Sequence, residues 1–292
     1  MTKVPACVTL VFNVDEPSIE TITLSDGYRA SARWWRPAEP RGAVLYFHGI
    51  QSHGDWYEQS GRLLAERGLA VLMPDRRGSG RNVRQRGHIA SAERCVEDAR
   101  NTLDALLRET GLPAAHGVGV SWGGKLTVAL AEAVKEHIQS MTLIAPGLFP
   151  KVDLTTGEKF RVAMAMLRNR DRMFDIPLND PRLFTANPRR IQFVDRDTLK
   201  LTQVSASFLL ASRRLDRNIR QFAQSSWRGP VHLFLAGRDK IINNDRTRQW
   251  LRELPSKDRQ VTEYPKAEHT IEFEMDPSRF FEDMTGWIVD HS

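Results

Sequence analysis

Short apolar runs bounded by turn residues alternate along this chain with longer stretches in which apolar residues recur every three to four positions. Residues 43–47 form such a run between Gly42 and His48-Gly49, and residues 70–73 form a second, halted by Pro74-Asp75. Residues 117–120, 141–144 and 231–236 read as further strands of this kind, and residues 261–264 as another strand. Residues 57–66, 91–108, 123–137, 250–254 and 280–289 have helical period; in 91–108, Val96, Ala99, Leu103 and Leu106 form one stripe. Residues 18–24 and 29–35 read as an antiparallel pair turning at Ser25-Asp26-Gly27. Strands alternating with helices predict a mainly parallel sheet covered by helices on both faces.

Residues 146–229 break the rhythm. Val204, Phe208, Ala211, Leu215, Ile219 and Phe222 fall on one helical stripe, with Arg213, Arg214, Arg217 and Arg220 on the other faces. A second helix over 158–170 gathers Phe160, Ala163, Met164 and Leu167. Between them lies a turn-rich piece holding Pro177, Asp180-Pro181 and Asn187-Pro188. The expected organisation is a core of residues 1–147 and 229–292 with a helical cap, 148–228, inserted after the fourth run.

Composition refines this picture. The 292 residues, 41% of them hydrophobic, can fill a large core. The net charge of +6 is uneven: 148–228 holds 16 Lys/Arg against 8 Asp/Glu, and the remainder is nearly neutral. Basicity confined to the cap, with no interleaved aromatic platform, argues against a nucleic-acid partner and leaves anionic lipid as a peripheral one. Cys7 and Cys95 are too few for a disulfide framework and have no metal-like spacing. No stretch has the length of a membrane span and none near the start that of a secretory leader, so a cytoplasmic protein is the default expectation.

Gly119-Val120-Ser121-Trp122-Gly123 lies between a buried strand and a helix, the context in which a G-x-S-x-G turn exposes a nucleophile. An ordinary strand–turn–helix connection is the alternative for the pentapeptide alone. Three further features favour the chemistry. His48-Gly49-Ile50 follows the strand 43–47, so the amides of Ile50 and Trp122 are the candidate donors to an oxyanion, and His48 is expected to brace that loop. Asp239 follows the strand 231–236 through Gly237-Arg238 and is a candidate acid, with Asp245 its neighbouring competitor. His269 follows the strand 261–264 and completes the order Ser, Asp, His, whereas His53, His88, His116, His137 and His232 do not fit it.

At His48-Gly49 with His53 and Tyr57, Pro74-Asp75-Arg76-Arg77-Gly78-Ser79-Gly80, the run 119–124, Gly237-Arg238-Asp239 and Glu268-His269, the sequence resembles the monoacylglycerol-lipase-like branch of the α/β-hydrolases, which includes lysophospholipase-like enzymes. The sequence departs from that branch at Trp56, Asn82 and Trp122, where arginine, serine, and methionine or glutamine are common. The resemblance implies an α/β-hydrolase fold and hydrolysis of acyl esters by Ser121, Asp239 and His269, without metal or organic cofactor, on a small-molecule or lipid ester. His53 and Trp56, with Met164, Leu167, Phe174, Phe208 and Leu215 of the cap, are the candidates for substrate contact. A thioesterase or acyltransferase would keep the same residues. A non-catalytic ligand-binding member would usually have lost one of them.

Overall fold

A computed structural model describes residues 16–222 and 227–292. Cys7 and the leading stretch read for a secretory leader lie outside the described residues.

Eight strands form one sheet: β1 (Ser18–Thr23), β2 (Arg29–Trp35), β3 (Gly42–Phe47), β4 (Leu69–Pro74), β5 (Ala115–Val120), β6 (Ile138–Ile144) and two from the last third, described below. Helices α1 (Glu58–Glu66), α2 (Ala92–Thr110) and α3 (Trp122–Ala133) connect them. Antiparallel β7 (Met173–Asp175) and β8 (Gln203–Ser205) form a separate ladder within the insertion. That insertion also holds α4 (Thr156–Arg168), α5 (Pro188–Arg196) and α6 (Ala206–Phe222). Strand β9 (Val231–Ala236), helix α7 (Asn244–Glu253), edge strand β10 (Arg259–Tyr264) and α8 (Ser278–Asp290) complete the chain. The sheet order is β1-β2-β4-β3-β5-β6-β9-β10; β2 pairs antiparallel with both β1 and β4, and the other pairings are parallel.

Burial follows from position in that order. Strands β3, β4, β5 and β9 are buried at every residue, as suits their largely apolar sequences, with His116 in β5 and His232 in β9 the polar exceptions. The edge strand β10 is largely exposed and carries alternating polar residues. Helix α2 begins where the Ser91 side chain accepts the Arg94 amide and ends at Gly111, whose φ of 69° suits the left-handed turn. Its buried face is Cys95, Ala99, Leu103 and Leu106, and Cys95 is a free thiol.

The insertion differs from expectation at three places. Val204 lies on β8, so the α6 stripe begins at Phe208 and continues through Ala211, Leu215, Ile219 and Phe222, all buried. A helix, α5, occupies part of the turn-rich piece, started by the Asn187 side chain accepting the Arg189 amide and by Pro188 at its first position. Helix α4 buries the other side from the one its period suggested. Ala165 faces Phe174 and Ala206, with Val162 and Met166 beside them, while Phe160 is 67% and Leu167 83% exposed. The reason is local: the run Phe-Arg-Val-Ala-Met-Ala-Met-Leu is apolar on two faces, so period alone does not choose between them.

Candidate functional site

The parallel strands end at one edge of the sheet, and the turns beyond β3, β5, β9 and β10 carry the sequence candidates. Ser121 sits at the turn from β5 into α3 with φ 51° and ψ −121°, a left-handed conformation that costs about 1–3 kcal/mol for a residue with a side chain. The turn is that sharp because Gly123 packs on the preceding loop: a Cβ there would meet the Phe47 carbonyl oxygen at 2.2 Å. The Ser121 amide donates to the Ile144 carbonyl of β6 at 2.9 Å, which anchors the turn to the sheet.

His269 enters this turn from the loop after β10. Its Nε2 lies 2.9 Å from Ser121 Oγ, and its Nδ1 lies 2.8 Å from Asp239 Oδ2, in the loop after β9. The other Asp239 oxygen accepts the amides of Ile241 at 2.7 Å and Ile242 at 2.9 Å. Burial works against the Asp239 carboxylate, but the facing His269 and those two amides outweigh it and hold the carboxyl below its ordinary value. An ionised Asp239 makes Nδ1 the protonated nitrogen, which leaves Nε2 free to accept the serine proton. Asp245 is on α7 with its side chain 96% exposed, paired to Arg248, far from this chain of bonds in role.

The amides of Ile50 and Trp122 have no acceptor among the described residues, and the Gly49 loop packs on the serine, a Cβ on Gly49 lying 3.4 Å from Ser121 Cβ. The carbonyl of the Ser121–Trp122 peptide accepts the amides of Gly124 at 2.9 Å and Gly147 at 2.6 Å. A trans peptide carries its N–H opposite its C=O, so these two bonds fix the direction of the Trp122 N–H. The Trp122 indole stacks on Phe208, ring centres 5.3 Å apart, and donates to Ser212 of α6 at 3.0 Å.

His48 is buried, and burial, with the neighbouring Arg76, pushes its imidazole well below the ordinary value. It accepts the Arg76 amide at Nε2 and therefore donates from Nδ1 to the Gly49 carbonyl at 2.8 Å, bracing the loop as expected. In the same loop region, Asp75 accepts the amides of Gly54 and Arg81, which gives the Pro-Asp pair after β4 a structural use.

The remaining candidates are scattered. The insertion engages one polar atom of each of His53 and Trp56: His53 Nε2 lies 2.9 Å and Trp56 Nε1 2.7 Å from one oxygen of Asp197. Trp56 is further enclosed by Phe184, Phe193 and Phe273, so both side chains act here as anchors of the insertion. Phe174 belongs to the α4 cluster, Leu215 to the main core, and Met164 is half-buried on α4. Leu167 points to solvent, contrary to its reading as a pocket residue. Of the cap candidates, Phe208 stacks on a site residue, Trp122. Arg213 is tied to Asp153, leaving Arg217 and Arg220 as the exposed cations of that α6 face. Sequence reading missed Asp197 because nothing local links it to residues more than a hundred positions earlier. A cavity of about 490 Å³ opens between α4, α6 and the segment 150–154, with Val152, Val162, Met166 and Leu209 on its apolar side and Lys125 paired to Asp216 on its polar side.

Glu272, three residues beyond His269, is buried with one oxygen taking the Ser60 hydroxyl at 2.7 Å. Burial pushes its carboxyl from 4.5 up to about 8. The folded form therefore keeps this proton while the unfolded chain has lost it, so its contribution to stability is full below about pH 4.5 and is lost as pH rises through about 8. Glu272→Gln is expected to remove that decline. In urea unfolding the variant gains on the parent between about pH 5 and pH 8, and an equal difference at both values would show that Glu272 is ionised in the fold.

The sheet order and the serine turn define an α/β-hydrolase. The chain belongs to the Hydrolase_4 family, described as serine aminopeptidase, S33, whose model matches residues 38–276. It is 23% identical over 265 residues to a monoacylglycerol lipase of Mycolicibacterium smegmatis, covering 88% of this chain and 91% of that one. It is 22% identical over 242 residues to the phospholipase YtpA of Bacillus subtilis, covering 81% of this chain and 91% of the other. The fold superimposes on a soluble variant of the Saccharomyces cerevisiae monoglyceride lipase, solved with a substrate analogue, with a TM-score of 0.86 at 19% identity over 98% of this chain and 99% of that one. Among the described residues no helix is long and apolar enough to cross a membrane, and no group of side chains could hold a metal ion.

Proposed function

We propose that this protein hydrolyses carboxylic esters of lipid type, monoacylglycerols or lysophospholipids, through an acyl-enzyme on Ser121. The observation that carries the reading is the unbroken chain from Ser121 Oγ to His269 Nε2 at 2.9 Å and from His269 Nδ1 to Asp239 at 2.8 Å. His269 takes the Ser121 proton as Oγ attacks the ester carbonyl. The Ile50 and Trp122 amides receive the developing oxyanion, and Asp239 balances the imidazolium. His269 then protonates the leaving alcohol, and water, activated by the same imidazole, releases the acid. Lipase and phospholipase relatives support the substrate class.

The test is labelling with a fluorophosphonate followed by turnover of p-nitrophenyl, monoacylglyceryl and lysophospholipid esters beside an aminoacyl p-nitroanilide, a probe for the aminopeptidase activity in the family's description. Lipid esters are expected to give the highest kcat/KM. A preference for the anilide would move the reading to a peptidase. The exposed Arg217 and Arg220 on α6 also offer a face to anionic lipid, so turnover on anionic vesicles should fall with salt while a small neutral ester stays unaffected.

A further inference from the structure

The proposed oxyanion hole has two arms, and one half-buried cation touches both. Arg76 leaves the sheet edge just after β4, and its Nη2 donates to the Gly49 carbonyl at 2.8 Å and to the Ile50 carbonyl at 2.9 Å. The Gly49 carbonyl and the Ile50 amide belong to one peptide group. Because that group is planar and trans, pulling its oxygen toward Arg76 turns its N–H to the opposite side. On its other flank the guanidinium lies over the Trp122 indole, 4.6 Å from the ring centre, and Trp122 supplies the second amide.

Arg76 also differs electrically from the other arginines of this motif region. Arg77 is held by Asp26 and Asp98, and Arg33 by Asp55, Glu58 and Asp75. Arg76 makes no ion pair among the described residues, and its buried Nε has no hydrogen-bond partner. Burial lowers its pKa only to about 10, so it stays charged near neutrality. A half-buried cation with no paired carboxylate is incompletely compensated in the resting protein, and a negative charge forming beyond the Gly49–Ile50 peptide would offset it. A donor on the carbonyl of an amide also polarises its N–H, which makes Ile50 a stronger donor.

We propose that Arg76 is a positioning residue for the oxyanion hole: it aims and polarises the Ile50 amide, steadies Trp122, and adds positive potential where the tetrahedral intermediate becomes negative. The proposal rests on the ester-hydrolase reading above. His48, donating to the same Gly49 oxygen, shares the first task but is neutral and cannot supply the charge.

The experiment compares Arg76→Met and Arg76→Lys with the parent on one soluble ester, with thermal unfolding alongside. Loss of a whole oxyanion donor costs on the order of 10²–10³ in kcat, so loss of its alignment should lower kcat by about 10- to 100-fold with KM within about twofold. Affinity for a trifluoromethyl ketone, which places an oxyanion in the hole, should fall by the same factor. Lysine keeps a cation but not the planar group over Trp122, and should lose about three- to tenfold. Arg77→Met, which breaks the ion pairs to Asp26 and Asp98, is the control: it should unfold at lower temperature with kcat unchanged. Parental kcat in folded Arg76→Met, or in Arg76→Lys should the methionine variant fail to fold, overturns the proposal. So does a kcat loss not matched by weaker ketone binding. A parent protein that neither hydrolyses esters nor binds the ketone would instead overturn the ester-hydrolase reading.

Discussion

Ser121→Ala is expected to reduce kcat on its best ester by on the order of 10⁶ while the protein remains folded. The two effects separate cleanly here. The substitution removes Oγ and its bond to His269, a change worth about 1 kcal/mol in stability. The strained turn is held by contacts that the side chain does not make: the Ser121 amide on Ile144, the Ser121 carbonyl under Gly124 and Gly147, and Gly123 against Phe47. Alanine at a φ of 51° is strained no more than serine, so the melting temperature should stay within a few degrees. Fluorophosphonate should no longer attach. Labelling of the alanine variant at the parental rate would place the nucleophile elsewhere.

His269→Ala should be nearly as damaging, and Asp239→Asn should lower kcat by about 10⁴. The structure supplies the reason for the second figure. One Asp239 oxygen accepts the amides of Ile241 and Ile242, so an asparagine there would keep its carbonyl on those amides and turn its NH₂ toward His269 Nδ1. Nδ1 would then have to accept, the ring proton would move to Nε2, and the imidazole could no longer take the serine proton. Asp245→Asn is the matched comparison. Its carboxylate is exposed and paired only with Arg248, so kcat should remain within about twofold. If Asp245→Asn proves the more harmful change, the assignment of the acid is wrong.

The alternating fold and the addresses of the site residues were legible in the chain because both depend on short-range pattern. A strand buried on both faces must be largely apolar, and β3 and β4 are apolar runs throughout while β5 and β9 each admit one buried histidine. The glycines around Ser121 mark a turn that neighbouring backbone leaves no room to widen. The α6 stripe was equally plain, since one of its faces carries arginine and the other none.

Where pattern was symmetric or the partner distant, only the tertiary structure decided. Helix α4 is apolar on two sides, and packing against Phe174 and Ala206 selected Ala165, leaving Phe160 and Leu167 outside. The family resemblance offers His53 and Trp56 as substrate contacts; Asp197, brought beside them by the insertion, engages both. Ser121, Asp239 and His269 occupy three separate loops, and it is the order β3-β5-β6-β9-β10 that sets those loops along one edge. Arg76 was visible as a letter in a motif. Its grip on the Gly49–Ile50 peptide arises only because parallel pairing of β3 with β4 brings the two strand ends together, a long-range contact that no local preference encodes.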